Sequence, residues 1–522
     1  MRGVDQSGRD WYNKPITWQE LECESALEIV AAVYLLASLG LFLYGINSCY
    51  LLFLHLRHKS PKKSPPLSQG VLPMVTVQLP IFNERHVGER LLKAVGQLDY
   101  PRNRLEIQVL DDSIDETREI MFQAVQQARQ DGLDVKYLHR ADRTGYKGGA
   151  LREGLSVAKG EFIAVFDADF VPPPEFLGRI IPVFQANARV GMVQARWGHL
   201  NEGYSLLTRV QSVGIDGHFL VEQPARSDGG LFLNFNGTGG VWRRKTILDA
   251  GNWSSDTLTE DLDLSYRAQL RGWQFRYLAD LVCPGELPAH IIAFKNQQRR
   301  WAKGSIQTAI KLYPSVLFSR RSWRVKVEAF FHLTGYMVHP LMMVLALTAP
   351  ILALIPADFL SHFHHLFILL AFTSLAGFIG PTSLYSYSQV HCYADGWSRL
   401  KRLPALMMGG TGLTVSNTVA IIEALAGHKG SFIRTPKHGI VGKEGGWTGK
   451  GYVPERDPWA YVELGLGAYT LFGVVAAIFS GDYGVIPFLL LYVTGFTYVG
   501  TLSFLHTRVP AGVTCDLEPG ML

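Results

Sequence analysis

Long apolar blocks sit at both ends of the chain, separated by a stretch that has none. Residues 29–54 are apolar over more than the ~20 positions a bilayer crossing needs. No segment from about 73 to 325 is apolar enough to span a membrane, and beyond it four runs are: 329–355, 366–387, 459–479 and 485–505. A further run, 404–427, is interrupted by Thr411, Thr414, Ser416, Asn417 and Glu423. Within the central stretch, short apolar runs at 75–79, 107–110, 162–166 and 192–195 alternate with helical spacing at 115–129, 148–158 and 174–186. Strands alternating with helices predict a doubly wound α/β sheet, whose ligand sits beyond the carboxyl ends of the strands.

Charge orients the blocks. The segment before the first one is long and acidic (Glu20, Glu22, Glu24, Glu28), unlike a signal peptide, and Arg57, Lys59, Lys62 and Lys63 follow it. The positive-inside rule then places the N-terminus outside and residue 57 onward in the cytosol. The connections 356–365 and 480–484 contain no Lys or Arg, as outer loops should, whereas Lys429, Arg434, Lys437 and Lys443 follow the 404–427 run. If that run crossed, the basic loop would lie outside; if it lies along the interface, every basic connection is cytosolic. The second arrangement is preferred, with five crossings. The predicted organisation is an extracytosolic segment 1–28, a transmembrane helix 29–56, a cytosolic domain 73–325 and two transmembrane helices in 329–387. An interfacial helix 400–427, a loop 428–458, two transmembrane helices in 459–505 and a cytosolic tail 506–522 complete it. Several span residues are polar (His339, Thr373, Ser374, Ser383, Tyr385, Tyr387, Glu463), which reads singly as helix-to-helix bonding and together as a hydrophilic conduit.

Composition narrows the class. Of 522 residues 18% are charged, below the roughly one quarter usual in soluble proteins, and the net charge of +5 suggests no nucleic-acid partner. Five scattered cysteines have neither disulfide nor zinc-ligand spacing and read as mostly buried thiols.

The candidate chemistry is acidic and sits at strand ends. The run 107–110 leads into Asp111-Asp112-Ser113, and 162–166 into Asp167-Ala168-Asp169; no dinucleotide or Walker glycine fingerprint is present. A carboxylate pair at i, i+2 suits a hard divalent cation that in turn holds phosphate oxygens, although a solvated turn explains a lone pair equally well. Thr259-Glu260-Asp261 opens a helical stretch, as a cap or as a carboxylate base. Gln297-Gln298-Arg299-Arg300-Trp301 joins a phosphate-binding cation to an indole that stacks on sugar or sits at a membrane surface. Phe235-Asn236-Gly237-Thr238-Gly239-Gly240 is a turn allowing close backbone approach.

In this order, and joined by Gln78 to Glu84, Tyr146-Lys147-Gly148-Gly149 and Glu286-Leu287-Pro288, the motifs resemble the processive family 2 glycosyltransferases of the cellulose synthase superfamily. The closest look is to the cellulose synthase-like mannan and glucomannan synthases. The resemblance implies a cytosolic GT-A, nucleotide-sugar-binding domain inserted between transmembrane helices. It also implies roles: Glu84, Asp111 and Asp112 toward the nucleoside, Asp167 and Asp169 toward Mg²⁺ or Mn²⁺, and Lys147 toward the diphosphate. Asp261 would be the general base with Glu260 in support. Gln297, Arg300 and Trp301 would bind the diphosphate and the glycan end, and Asn234, Phe235, Gly237 and Thr238 the acceptor. Phe432-Ile433-Arg434-Thr435-Pro436-Lys437 resembles the gating loop of cellulose synthases, with Arg434 in place of Val, which adds Thr435 and Lys437 to the donor site.

The expected activity is inverting, metal-dependent polymerisation of UDP-glucose or GDP-mannose into a β-linked, β-1,4 glycan, passed across the membrane as it grows. The expected partners are the donor, the growing polysaccharide and membrane lipid, with an accessory subunit or a second copy open. The alternatives are a transferase placing one hexose on ceramide or diacylglycerol, and a transporter subunit whose soluble domain senses nucleotide sugar.

Overall fold

The computed structural model describes residues 18–58, 71–354, 364–430, 432–452 and 456–507. The predicted outer segment 1–28, the connection 356–365 and the tail 506–522 lie largely outside these residues.

Seven strands form one sheet: β1 (Val75–Ile81), β2 (Leu105–Asp111), β3 (Asp134–His139), β4 (Phe162–Val165), β5 (Val190–His199), β6 (Gly240–Arg243) and β7 (Gln274–Gly285). Their order is β3-β2-β1-β4-β6-β5-β7. β1 pairs in parallel with β2 on one side (Val77 opposite Ile107) and with β4 on the other (Val77 opposite Ala164). The chain order reverses there, so the carboxyl ends of β1, β2 and β4 open a crevice. β6 runs antiparallel to both β4 and β5, which makes the sheet mixed.

Helices cover both faces. Val77, Leu79, Val109 and Phe166 pack under Leu91, Met121, Phe176 and Ile180 on one side, while Leu151, Leu155, Trp242, Trp253 and Leu264 fill the other. Burial on both faces is why the central strands read as continuous apolar runs. Three strands escape that pattern. Edge strand β3 alternates Asp134, Lys136 and His139 with apolar residues, β6 has only four residues, and β7 carries Gln274, Arg276 and Asp280 and pairs with β5 through register shifts.

Four helical segments among the described residues are long and apolar enough to cross a membrane: Leu27–Arg57, Gly335–Leu352, Trp459–Ser480 and Ile486–His506. The predicted span 366–387 lies within the helix His364–Cys392, packed on the first helix, where the Ser38 hydroxyl is 2.9 Å from that of Thr373 and 3.0 Å from that of Ser374. The region 404–427 is two helices, Leu403–Gly412 and Thr414–Leu425, bent by 43°. Thr411, Thr414, Ser416, Asn417 and Thr418 are buried there while Ile422 and Leu425 are exposed. The buried face thus carries these polar groups together with Val415, Ala420, Ile421 and Ala424. The break is close-packed, since a Cβ on Gly412 would lie 2.4 Å from the Gly495 carbonyl oxygen.

One expectation needs correction. Cys283 is buried, but Cys49 and Cys392 are exposed, on helices whose outer faces display apolar side chains such as Leu43 and Phe53 instead of packing them. The polar residues of the spans include groups bonded to protein partners: Asn417 Nδ2 to His339 Nε2 at 2.9 Å, and Lys295 Nζ donating to Glu463 at 2.5 Å. Helix-to-helix bonding accounts for these.

Where the helix His364–Cys392 crosses the first helix, a Cβ on Gly380 would lie 2.1 Å from the Gly45 carbonyl oxygen. Gly380→Ala must therefore separate two packed helices and is expected to cost about 1–3 kcal/mol. Thermal unfolding in detergent checks this, with Gly410→Ala, which meets nothing within 4 Å, as the control.

Candidate active site

The crevice at the strand ends gathers the candidate residues. From β1 it receives Phe82 and Glu84, from β2 Asp112, from β4 Asp167 and Asp169, from β5 Trp197 and His199, and from β7 Glu286. Lys147 enters from the first turn of the helix Tyr146–Ser156, and Glu260 and Asp261 from the first turn of Glu260–Leu270. The long helix Ile291–Leu317 contributes Gln297, Arg300 and Trp301. Phe432, Arg434, Thr435 and Lys437, far along the chain, close the roof.

Ion pairs organise the acids. Arg140 donates to both oxygens of Asp112, at 2.7 and 2.5 Å. Arg434 grips Glu84 the same way, at 3.0 and 2.8 Å. Lys147 Nζ lies 2.6 Å from Asp167, and Lys437 Nζ 2.6 Å from Asp169. Burial pulls the Lys147 ammonium down, but Asp167 and Glu260 more than offset it, so its pKa ends raised. Burial pushes Glu84 up to about 7 against the pull of Arg434.

Two groups stand apart. Among the described residues no salt bridge reaches Asp261 within contact distance; burial and then the neighbouring Glu260 charge push it up to about 7. It sits where the helix begins, and its own oxygen accepts from Leu262 N at 2.8 Å. Arg300 likewise makes no contact salt bridge, donating to the Ile433 carbonyl at 3.1 Å and lying 4.5 Å from the centre of the Phe432 ring. An unpaired cation facing four acids is suited to an incoming diphosphate.

Gly237 explains its own identity. Its φ is +81°, Lys147 donates to its carbonyl at 2.9 Å, and a Cβ there would sit 3.0 Å from Asp261 Oδ2. The close approach foreseen for the glycine-rich turn is thus made to the carboxylate and the lysine.

Four predicted contact residues lie behind the cleft wall instead. Asp111 is fully buried, accepting from Ser113 N at 2.9 Å and the Tyr137 hydroxyl at 2.5 Å, so it shapes the turn that presents Asp112. Phe235 packs 5.6 Å from Trp242 in the core. The Asn234 carbonyl is taken by Gln223, 3.1 Å away. Thr238 is buried and accepts from the Asp167 amide at 2.9 Å, which fixes the first acid of the pair. A side chain one residue to either side of a contact alternates onto the hidden face, and spacing alone cannot say which it is. Thr259 holds the N-cap position without capping; its hydroxyl is 3.2 Å from that of Thr308.

Sequence reasoning missed the aromatic and guanidinium lining. Arg143 lies 3.4 Å from the Phe82 ring centre, and both line the cleft with Asp112 and Glu84; Phe432, also on the lining, stacks on Tyr146 at 5.6 Å. Trp197 stacks on Phe219 at 4.9 Å and faces Trp301 at 6.5 Å, forming an aromatic wall opposite. The signal for Arg140 and Arg143 was their basic run before Tyr146; nothing marked Trp197.

The donor set fits a divalent cation. Asp167 and Asp169 offer hard oxygens at one strand end, and Thr435 on the cleft wall has a buried hydroxyl with no partner among the described residues. No group of three or more His, Cys, Asp or Glu among the described residues forms a complete metal cage. Two carboxylates that leave positions open for phosphate and water are the usual arrangement for Mg²⁺ on a nucleotide.

Residues 73–304 match the profile of the family described as glycosyltransferase like family 2. Glucomannan 4-beta-mannosyltransferase 2 of Arabidopsis thaliana is 42% identical over 281 residues, 52% of this chain and 53% of that protein. Glucomannan 4-beta-mannosyltransferase 1 of Cyamopsis tetragonoloba is 41% identical over 275 residues, 51% and 52% of the two chains. The chain thus spans about half the length of the curated relatives it matches. Among solved structures, the mannosyltransferase PcManGT of Pyrobaculum calidifontis, in complex with GDP-Man and Mn²⁺, aligns at 17% identity with a TM-score of 0.49. That alignment covers 76% of this chain and 99% of the other.

Proposed function

We propose that the protein, whose residues 73–304 match the profile of glycosyltransferase like family 2, is an inverting, divalent-metal-dependent synthase. It joins nucleotide-activated mannose, as GDP-mannose, into a β-1,4-linked glycan, with UDP-glucose as the alternative or second donor. The observation that carries this is the meeting, in one cleft, of an unpaired carboxylate (Asp261), a carboxylate pair (Asp167, Asp169), an unpaired guanidinium (Arg300) and a tryptophan wall. The names of the relatives support mannosyl transfer and the β-1,4 linkage.

Each residue has a task. Phe82, Arg143 and Phe432 on the cleft lining take the base, with Asp112 and Glu84 on the same lining. Arg300 and Lys147 take the diphosphate charge, together with Gln297 and Lys437 from the walls. Asp167 and Asp169 would hold the metal, which when bound neutralises charge on the departing diphosphate. Trp301 and Trp197 stack on the acceptor end of the glycan, beside Gly237.

Asp261 takes the proton of the acceptor hydroxyl as that oxygen bonds to the anomeric carbon and the bond to the diphosphate breaks. A single displacement inverts the α-linked donor to a β-linkage. The bundle of apolar helices against the cleft offers the glycan its route out of the cytosol, with translocation accompanying extension.

The pH profile follows from Asp261. Only its ionised form accepts the proton, and burial with Glu260 nearby holds its pKa near 7. Plotted against pH, kcat/KM is expected to fall about tenfold per unit below pH 7 and to level off above it. A profile flat between pH 5 and 7 would exclude Asp261 as the base. The direct test of function is to supply each sugar nucleotide separately to purified protein and size the product.

A further inference from the structure

We propose that Glu286 is the positioning residue that latches the loop 432–452 over the donor cleft; this rests on the donor-site reading above. Glu286 follows the last residue of β7, and its side chain is 1% exposed. Its carboxylate accepts from three consecutive loop amides: His438 N to Oε1 at 2.8 Å, Gly439 N at 2.9 Å and Ile440 N at 3.2 Å to Oε2. Gly439 has φ +71°, the left-handed turn that lets successive N–H groups converge on one anion.

The loop needs such an anchor. Its described residues form no helix or strand, and their backbone bonds are few: an isolated bridge between Val441 and Glu444, and Gly442 N donating to the Leu200 carbonyl at 2.7 Å. Bonds to an ionised carboxylate are about twice as strong as neutral ones, and here three are made by adjacent residues. The anchor lies next to working groups. Lys437 donates both to the Glu286 carbonyl and to Asp169, and Arg434 holds Glu84. Fixing residues 438–440 therefore sets where two cations meet the donor. Glu286 touches neither nucleotide nor acceptor in this scheme and acts through the loop.

Amide hydrogen exchange on the full chain in nanodiscs, without substrate, tests the latch. In Glu286→Gln the carboxamide presents an N–H₂ where the loop amides need an acceptor. Exchange at 437–441 is expected to quicken by about tenfold or more, with β7 unchanged. Gly439→Ala, whose Cβ would sit 3.0 Å from the His86 carbonyl oxygen, should give the same phenotype, and the two should combine less than additively. In turnover, Glu286→Gln should raise donor KM by about tenfold with kcat changed less, and Glu286→Asp should recover part of the loss. Unchanged exchange at 437–441, or exchange quickened equally along β7, overturns the proposal. A wrong donor assignment shows differently, as wild-type protein inert toward every sugar nucleotide.

Discussion

Replacing Asp261 with Asn is expected to lower kcat by about 10²–10⁴-fold while leaving donor affinity within about threefold of wild type. The amide keeps the size and the bond from Leu262 N but cannot take the acceptor proton. It makes no salt bridge among the described residues, so nothing in the ion-pair scaffold is broken by removing its charge. Glu260 is adjacent and also lines the cleft, but it lies 3.9 Å from Lys147, so it shares that lysine's field and is a poor substitute. Glu260→Gln should therefore cost far less than Asp261→Asn. It should also shift the pH profile to lower values, because removing the neighbouring negative charge lets Asp261 ionise more readily. Steady-state rates for both variants across pH 5–9 check the pair of statements. Equal losses in the two would sink the assignment of one base.

The second large effect concerns the carboxylate pair. Asp167→Asn and Asp169→Asn are each expected to raise the Mg²⁺ or Mn²⁺ concentration for half-maximal rate by about 100-fold or more. That scale follows because loss of even an outer-shell partner costs 10–100-fold. Chelation of divalent metal should abolish turnover of the wild type. Lys147 and Lys437 contact these carboxylates, so a bound cation competes with two ammonium groups for the same oxygens. Calorimetry with GDP-mannose, with and without Mn²⁺, should therefore show donor binding that depends on metal and is nearly lost in either variant. Donor binding equally tight without metal would contradict this.

How much of this was legible beforehand depended on burial. β1, β2 and β4 are covered on both faces, so their apolar runs stood out, and the acids at their ends could be placed in one crevice before any coordinates. β3 alternates polar and apolar residues at a sheet edge, and β6 is four residues long, so neither carries a strong signal. The order of the motifs located Asp261, Arg300 and Trp301. It could not separate Asp111 from Asp112, because neighbouring strand residues face opposite ways and only the fold shows which faces the cleft. Arg434 was legible only as a departure from a resembled motif, while its grip on Glu84 joins residues 350 apart in sequence. The bend within 404–427 was invisible for a related reason: the close approach of Gly412 to Gly495 beside it joins distant parts of the chain.

The central claim is best tested with the purified full chain in nanodiscs, Mn²⁺ and radiolabelled GDP-mannose or UDP-glucose supplied singly. The product is then sized with and without added lipid. The account predicts a high-molecular-weight product from GDP-mannose that a β-mannanase degrades and that disappears in Asp261→Asn. A lipid-extractable monoglycoside, or a polymer still made by Asp261→Asn, would contradict it.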